Sequence, residues 1–219
     1  SMLTVGIRDA RVIPNGADLS IFHPVEKRAA RSRLGIPLSA AVVLLTTGSL
    51  GSMWKDDGTV LSTIERIAKS ASDTPILFIA VGRESAVPRG GRANVWSVPY
   101  QTDPRTVAAY YQAADLYIHA AHADTFPFAV LEAMACATPV VATPRAVSAL
   151  QARTGRDVLT AESAEAFATE VVDLLASPVR RREIGESGRR YVETHHRWDR
   201  VAGQLERVYE DAIGERCPK

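Results

Sequence analysis

Short apolar runs recur along the chain, each followed by a small or polar loop and then by a segment with helical spacing. Residues 41–47, 75–82, 94–100, 114–119, 140–142 and 157–160 read as strands. Runs that are apolar at successive positions suit strands covered on both faces, as in a parallel sheet. Predicted helices fall between them, over 26–34, 59–71, 106–113 and 126–136, with a short one at 144–147. Three more close the chain, over 163–175, 179–194 and 198–213. This alternation predicts one doubly wound α/β domain with right-handed crossovers.

The most informative stretch runs from Asp124 to Thr143. Asp124 and Thr125 are suited to cap a helix through their side-chain oxygens, and Pro127 fits a first turn that needs no N–H. Val130, Leu131, Met134 and Ala135 form one apolar face. Pro139 ends the helix, and Val140-Val141-Ala142 is a buried strand. The carboxylates Asp124 and Glu132 stand eight residues apart, about 12 Å if every step were helical. A nucleotide-sugar is roughly that long from ribose to hexose, and a helix N-terminus between the two acids would receive phosphate.

A second candidate region follows the first strand. Gly48, Ser49, Leu50, Gly51 and Ser52 make a small-residue loop at the strand's C-terminal edge, and Lys55 follows. Open α/β sheets bind ligands at that edge; the plain alternative for Lys55 is a solvated lysine. Arg83 is read as a surface arginine. His119, His122 and Asp124 lack the spacing of a zinc site and read as strand-end residues beside a pocket. Arg180, Arg181, Arg182, Arg189 and Arg190 share a helix with Glu183, Glu186 and Glu193, which predicts a solvated, paired face.

Composition narrows the class without naming it. The chain has 219 residues, 46% hydrophobic and 23% charged, which is ordinary globular composition. A net charge of +1 argues against wholesale nucleic-acid binding. Cys136 and Cys217 make no disulfide framework, and Cys136 reads as a small buried residue. No apolar run approaches the ~20 residues of a membrane span. Ser1-Met2 reads as an expression scar, with no signal peptide after it. These features predict a cytoplasmic protein, with a peripheral place at the inner membrane face as the variant.

The Asp124–Thr143 stretch resembles the acidic E-x7-E segment of retaining, GT-B-type family 4 glycosyltransferases, usually followed by L-E-A-M-A-x-G-x-P-V-V-A. Asp124 stands where the first Glu normally stands, and Ala137 replaces the Gly. Ile13-Pro14-Asn15-Gly16-Ala17-Asp18, with Phe22 and Pro24, is similar to the I-P-N-G-V-D-x-x-x-F that leads into the second half of such enzymes. Tyr110 to Tyr117 is similar to L-Y-x-x-A-D-V-F. Arg197-Trp198-Asp199, with Ala202 and Tyr209, is similar to the terminal F-S-W-x-x-x-A…Y helix, which crosses back to the N-terminal domain. The resemblance covers about residues 12–213.

That resemblance implies the Rossmann-like, donor-binding half of a GT-B fold. Residues 1–24 would be an inter-domain linker and 25–219 the nucleotide-sugar-binding domain, with the N-terminal acceptor domain outside this chain. The family's loop G-R-x-x-x-x-K-G brings an Arg and a Lys to the diphosphate. Lys55 matches that Lys, while Ser49 or Leu50 takes the place of the Arg. The implied catalytic residues are Asp124 and Lys55. The implied donor contacts are Gly48, Ser49, Lys55, Pro99, Tyr100, Asp124, Thr125, Phe126, Pro127, Phe128, Ala129, Val130 and Glu132, with Pro99 and Tyr100 at the base. No cofactor and no metal is expected, the nucleotide-sugar being a substrate, and the acceptor is unspecified. The fragment alone is expected to turn over nothing. The missing Arg and the Asp-for-Glu change keep a second reading open, a nucleotide-binding module without catalysis that serves regulation or assembly. A GT-B-shaped epimerase or phosphorylase is a third; the acid and His pattern expected of an epimerase is not found.

Overall fold

The computed structural model describes residues 11–46, 54–69, 75–82 and 94–216. Among the described residues six strands form one sheet: β1 (Ala41–Thr46), β2 (Ile76–Gly82), β3 (Asn94–Pro99), β4 (Leu116–His119), β5 (Val140–Ala142) and β6 (Leu159–Thr160). Their spatial order is β3-β2-β1-β4-β5-β6, and every pairing is parallel. This is the predicted doubly wound sheet. It reverses direction between β1 and β4, the switch point where such folds open a crevice for ligands.

Seven α-helices among the described residues cover the sheet: α1 (Lys27–Leu34), α2 (Asp57–Lys69), α3 (Pro104–Ala113), α4 (Phe128–Ala135), α5 (Ala164–Ala176), α6 (Pro178–His195) and α7 (Trp198–Arg216). Alternate residues of each central strand feed two cores, as the period of two requires. Val42, Leu44, Leu77, Ile79, Tyr117 and Val140 belong to the core with Tyr111, Leu131 and Met134. Val43, Leu45, Phe78, Ile118 and Val141 belong to the core with Ile64, Phe167, Val171 and Leu174. Strand β3 differs, alternating between exposed and half-buried residues, as an outer strand can.

Asp115 ties the first core together. Its carboxylate accepts from Lys27 Nζ at 2.8 Å, Arg31 at 2.7 Å and Val42 N–H at 2.8 Å. Helix α4 is buried almost all round, and α6 lies tightly over its exit. A Cβ on Gly185 would come within 2.2 Å of Ala137 O, and one on Gly188 within 2.9 Å of Asp157 O. Ala137 itself has φ 56°, a left-handed turn that glycine would enter without strain.

The leading segment is folded onto the end of α6. Ala17 N–H donates to His196 O at 2.7 Å, and Phe22 joins the first core. His196 is buried, with Nδ1 2.9 Å from Asn15 O and Nε2 3.0 Å from the Tyr191 hydroxyl. Gln151 N–H donates to that hydroxyl oxygen at 3.0 Å. The Tyr191 proton therefore points to Nε2, and Nδ1–H points to Asn15 O.

Four local expectations are corrected. Helix α4 starts at Phe128, not 126, with Pro127 at the N-cap position and no side-chain cap bond. The Asp124 and Thr125 side chains are thus not caps, and the eight steps from Asp124 to Glu132 are helical only in their second half. Residues 144–147 form a 3-10 turn, and the last strand is confined to Leu159–Thr160. Of the arginine cluster, Arg180 pairs with Glu170 at 2.9 Å and Arg189 with Glu193 at 2.6 Å. Arg181 also donates to Leu174 O and Leu175 O, and Arg189 to Ala135 O and Phe22 O. The carbonyls of Leu174, Leu175 and Ala135 stand at helix ends and that of Phe22 in the leading segment, and a merely solvated face would satisfy none of them.

A candidate site at the switch point

Lys55 and Asp124 come from the loops that follow β1 and β4, the two strands flanking the switch point. Backbone bonds join the loops. Lys55 and Ala121 form an antiparallel bridge, His122 N–H donates to Trp54 O at 2.8 Å, and Asp56 N–H donates to Ala120 O at 3.2 Å. Asp56 then caps α2, its carboxylate accepting from Thr59 N–H at 3.0 Å and the Thr59 hydroxyl at 2.6 Å. Lys55 is held where two loops and a helix start meet, which a freely solvated lysine would not be. Burial lowers its pKa, while Asp124 and Asp57 oppose that shift.

Beneath Lys55 lies a buried polar chain that sequence reasoning did not assemble. The Tyr117 hydroxyl is 2.5 Å from Thr46 Oγ1 and 2.8 Å from His119 Nδ1. His119 Nε2 lies 3.4 Å from Asp124 Oδ2, and Lys55 Nζ lies 3.2 Å from Nε2 and 3.5 Å from Nδ1. His119 is 3% exposed, and burial foremost holds its pKa below the usual range. The signal was present as polar residues near the C-terminal ends of adjacent apolar strands, with Tyr117 and His119 two apart and so on one face.

Asp124 is half-buried. Its Oδ1 accepts from Phe126 N–H at 3.1 Å, and the His119 bond, first among several contacts, holds its carboxyl below the ordinary range. Each oxygen keeps a further lone pair for a ligand hydroxyl. At the start of α4, Phe128 N–H returns to Phe126 O, and Val130 and Leu131 N–H return to Pro127 O. Ala129 N–H finds no acceptor among the described residues, so it is open to an anion.

Glu132 sits farther along α4. Its Oε2 accepts the Tyr111 hydroxyl at 3.3 Å, and burial pushes its pKa up to about 7. Phe128 is exposed and meets Phe126 edge-on at 5.5 Å. Thr125 is exposed and Ala129 half-buried. Pro127 and Val130 are buried, and Val130 N–H is spent on Pro127 O, so these two shape the turn and offer no free donor. Pro99 and Tyr100 end the outer strand, three strand spacings from β4, about 14 Å. Tyr100 is 74% exposed. Gly48, Ser49 and Arg83 lie outside the described residues. Among the described residues there is no group of three His, Cys, Asp or Glu able to hold a metal, and no helix long and apolar enough to cross a membrane.

A doubly wound parallel sheet with cationic and acidic side chains gathered at its switch point defines a Rossmann-like domain of the α/β class. The family model described as "Glycosyl transferases group 1" matches residues 41–177, and the chain belongs to that family. It is 30% identical over 213 residues to D-inositol 3-phosphate glycosyltransferase 2 of Catenulispora acidiphila, covering 90% of this chain and 49% of that relative. The chain thus spans about half the length of that relative. Sucrose-phosphate synthase from Thermosynechococcus elongatus superposes with a TM-score of 0.76 at 24% identity, over 94% of this chain and 53% of the other. Anabaena Alr3699/HepE in complex with UDP and glucose superposes with a TM-score of 0.75 at 16% identity, over 91% and 56%. Both are glycosyltransferase-type folds of the GT-B kind, and at these identities they establish the fold.

Proposed function

We propose that this domain binds the nucleotide-sugar donor of a retaining, family 4-type glycosyltransferase that moves a hexose to an acceptor held by a separate N-terminal domain. The observation that carries it is the meeting of Lys55, Asp124 and the open first turn of α4 at the switch point, in a chain of this family. In this reading the Lys55 ammonium and Ala129 N–H receive the diphosphate, and Lys55 neutralises charge on the leaving group. Asp124 accepts sugar hydroxyls near the anomeric carbon. Glu132 accepts the ribose diol on its two oxygens, and Pro99 and Tyr100 border the base. No metal is assigned a role. The UDP and glucose bound to the Anabaena protein make UDP-sugars the first donors to try. The acceptor in the Catenulispora relative's name is not carried over, since the match spans only half of that relative.

Calorimetry with UDP, GDP, UDP-glucose and GDP-mannose tests the reading; binding of at least one pair is expected, and silence from all four would overturn it. The loop without an Arg favours one second reading, a nucleotide-binding module without turnover. A longer form carrying an acceptor domain separates the two: transfer makes it an enzyme, and nucleotide binding without transfer makes it a module. The 219-residue chain alone is expected to transfer nothing.

A further inference from the structure

The buried chain under Lys55 has a direction. Asp124 accepts only, so His119 Nε2 must carry the proton in that contact. Nδ1 is then the acceptor, which makes the Tyr117 hydroxyl its donor at 2.8 Å. The Tyr117 oxygen in turn accepts from Thr46 at 2.5 Å. Protons therefore point from Thr46 through Tyr117 and His119 to Asp124. Lys55 does not break this order. Its Nζ is nearly equidistant from the two ring nitrogens, 3.2 and 3.5 Å, whereas an atom on the in-plane lone pair of Nε2 would stand much farther from Nδ1. The ammonium thus lies against the ring and not on either lone pair. A neutral ring tolerates that approach; a protonated one would set like charges together.

We propose that His119 is a positioning residue, its ring fixed as the Nε2–H tautomer by Tyr117 so that one side chain orients the Asp124 carboxylate and seats the Lys55 ammonium. This rests on the donor-site reading for its consequence, but not for its geometry. The groups facing the ring are Tyr117 from β4, Thr46 from β1, Lys55 from the loop after β1 and Asp124 from the loop after β4. Burial, and Lys55 with it, holds the ring neutral. With the ring gone, Asp124 would keep, among the described residues, only Phe126 N–H and could swing toward Lys55, so that the pair would neutralise each other.

Two amide replacements test this. Glutamine places its side-chain N–H where Nε2–H stood, and asparagine places its polar atoms nearer Nδ1. His119→Gln should keep most of the extra affinity that a sugar adds to the nucleotide. His119→Asn should lose it by about tenfold, at comparable thermal stability. Equal losses in both would mean a packing role and overturn the proposal. Ring nitrogen NMR on the 219-residue chain supplies a readout that needs no ligand. His119 should show a single neutral Nε2–H tautomer from pH 8 to below the usual histidine midpoint, and Tyr117→Phe should mix the tautomers. A ring that titrates like free histidine, or shows Nδ1–H, would overturn the proposal even if nucleotides bind. Absence of nucleotide binding would defeat the donor reading, and the NMR result would still decide this one.

Discussion

Two histidines, His119 and His196, are each 3% exposed, and each takes a hydrogen bond from a tyrosine hydroxyl. They differ in what stands on the other side of the ring. His196 donates to a backbone carbonyl, Asn15 O, and its tyrosine is closed off by Gln151 N–H. Its immediate hydrogen-bond partners are all neutral, and they tie the leading segment to the end of α6. His119 faces a carboxylate and an ammonium that both border the outside. One motif closes a joint, and the other holds charged groups ready for a ligand. What separates them is whether the terminal partner is a neutral backbone carbonyl or a charged side chain.

The largest expected effect sharpens the first half of this comparison. His196→Ala leaves Asn15 O without its side-chain donor and opens a cavity, so it should lower stability by about 3 kcal/mol. Urea unfolding measures this, and nucleotide affinity of the folded variant should change by no more than about twofold, since His196 reaches the site only through its ring contact with Phe126 at 5.8 Å. A site variant shows the reverse pattern. Glu132→Ala removes a charge-assisted contact of roughly 1.5–3 kcal/mol, so nucleotide affinity should fall about ten- to hundredfold by calorimetry.

Glu132 also gives a pH signature. Its folded pKa is raised above the unfolded one, to about 7, so the folded state holds the extra proton. Its contribution is intact below about pH 4.5 and is lost as pH rises through about 7. Glu132→Gln should therefore gain stability relative to wild type across that window. Ribose hydroxyls favour the ionised form, so nucleotide binding near pH 7 should release protons, and the binding heat should change with the buffer. His119 and His196 work oppositely: their pKa values are depressed, foremost by burial. Their contribution is present above the ordinary histidine range and is lost as pH falls below it.

A smaller effect tests the turn between α4 and β5. Ala137→Gly relieves a left-handed alanine and should stabilise the chain by about 1 kcal/mol, with no change in nucleotide affinity. Loss of stability would mean that the alanine methyl contributes more than the strain costs.

The sheet was legible because four of the six strands among the described residues are apolar at nearly every position, and the loops carrying Lys55 and Asp124 follow directly from strand ends. The start of α4 was misplaced for a definite reason. Asp124 looks like a cap in sequence, but its oxygens go to Phe126 N–H and His119, and Pro127 takes the N-cap position. The Tyr111–Glu132 and Tyr117–His119 contacts were out of reach. The first depends on how α3 meets α4, and the second leads into a network set by β1 lying beside β4. Ala137 was read only as a departure from glycine; its φ of 56° shows a left-handed turn that glycine would suit better.

The smallest expected effect leads to the central test. Asp124→Ala should leave UDP or GDP affinity within about twofold, because Asp124 meets only the sugar, whereas Lys55→Met should weaken both by at least about tenfold. Asp124→Asn and Asp124→Ser in a longer, active form should lower the rate more than the binding. The direct measurement is the calorimetric affinity of this chain for UDP, GDP and their sugar conjugates, beside Lys55→Met and Asp124→Ala. The account predicts that Lys55→Met weakens nucleotide binding by at least about tenfold and Asp124→Ala loses only the increment due to the sugar. Nucleotide binding indifferent to Lys55 would place the ligand elsewhere and contradict it.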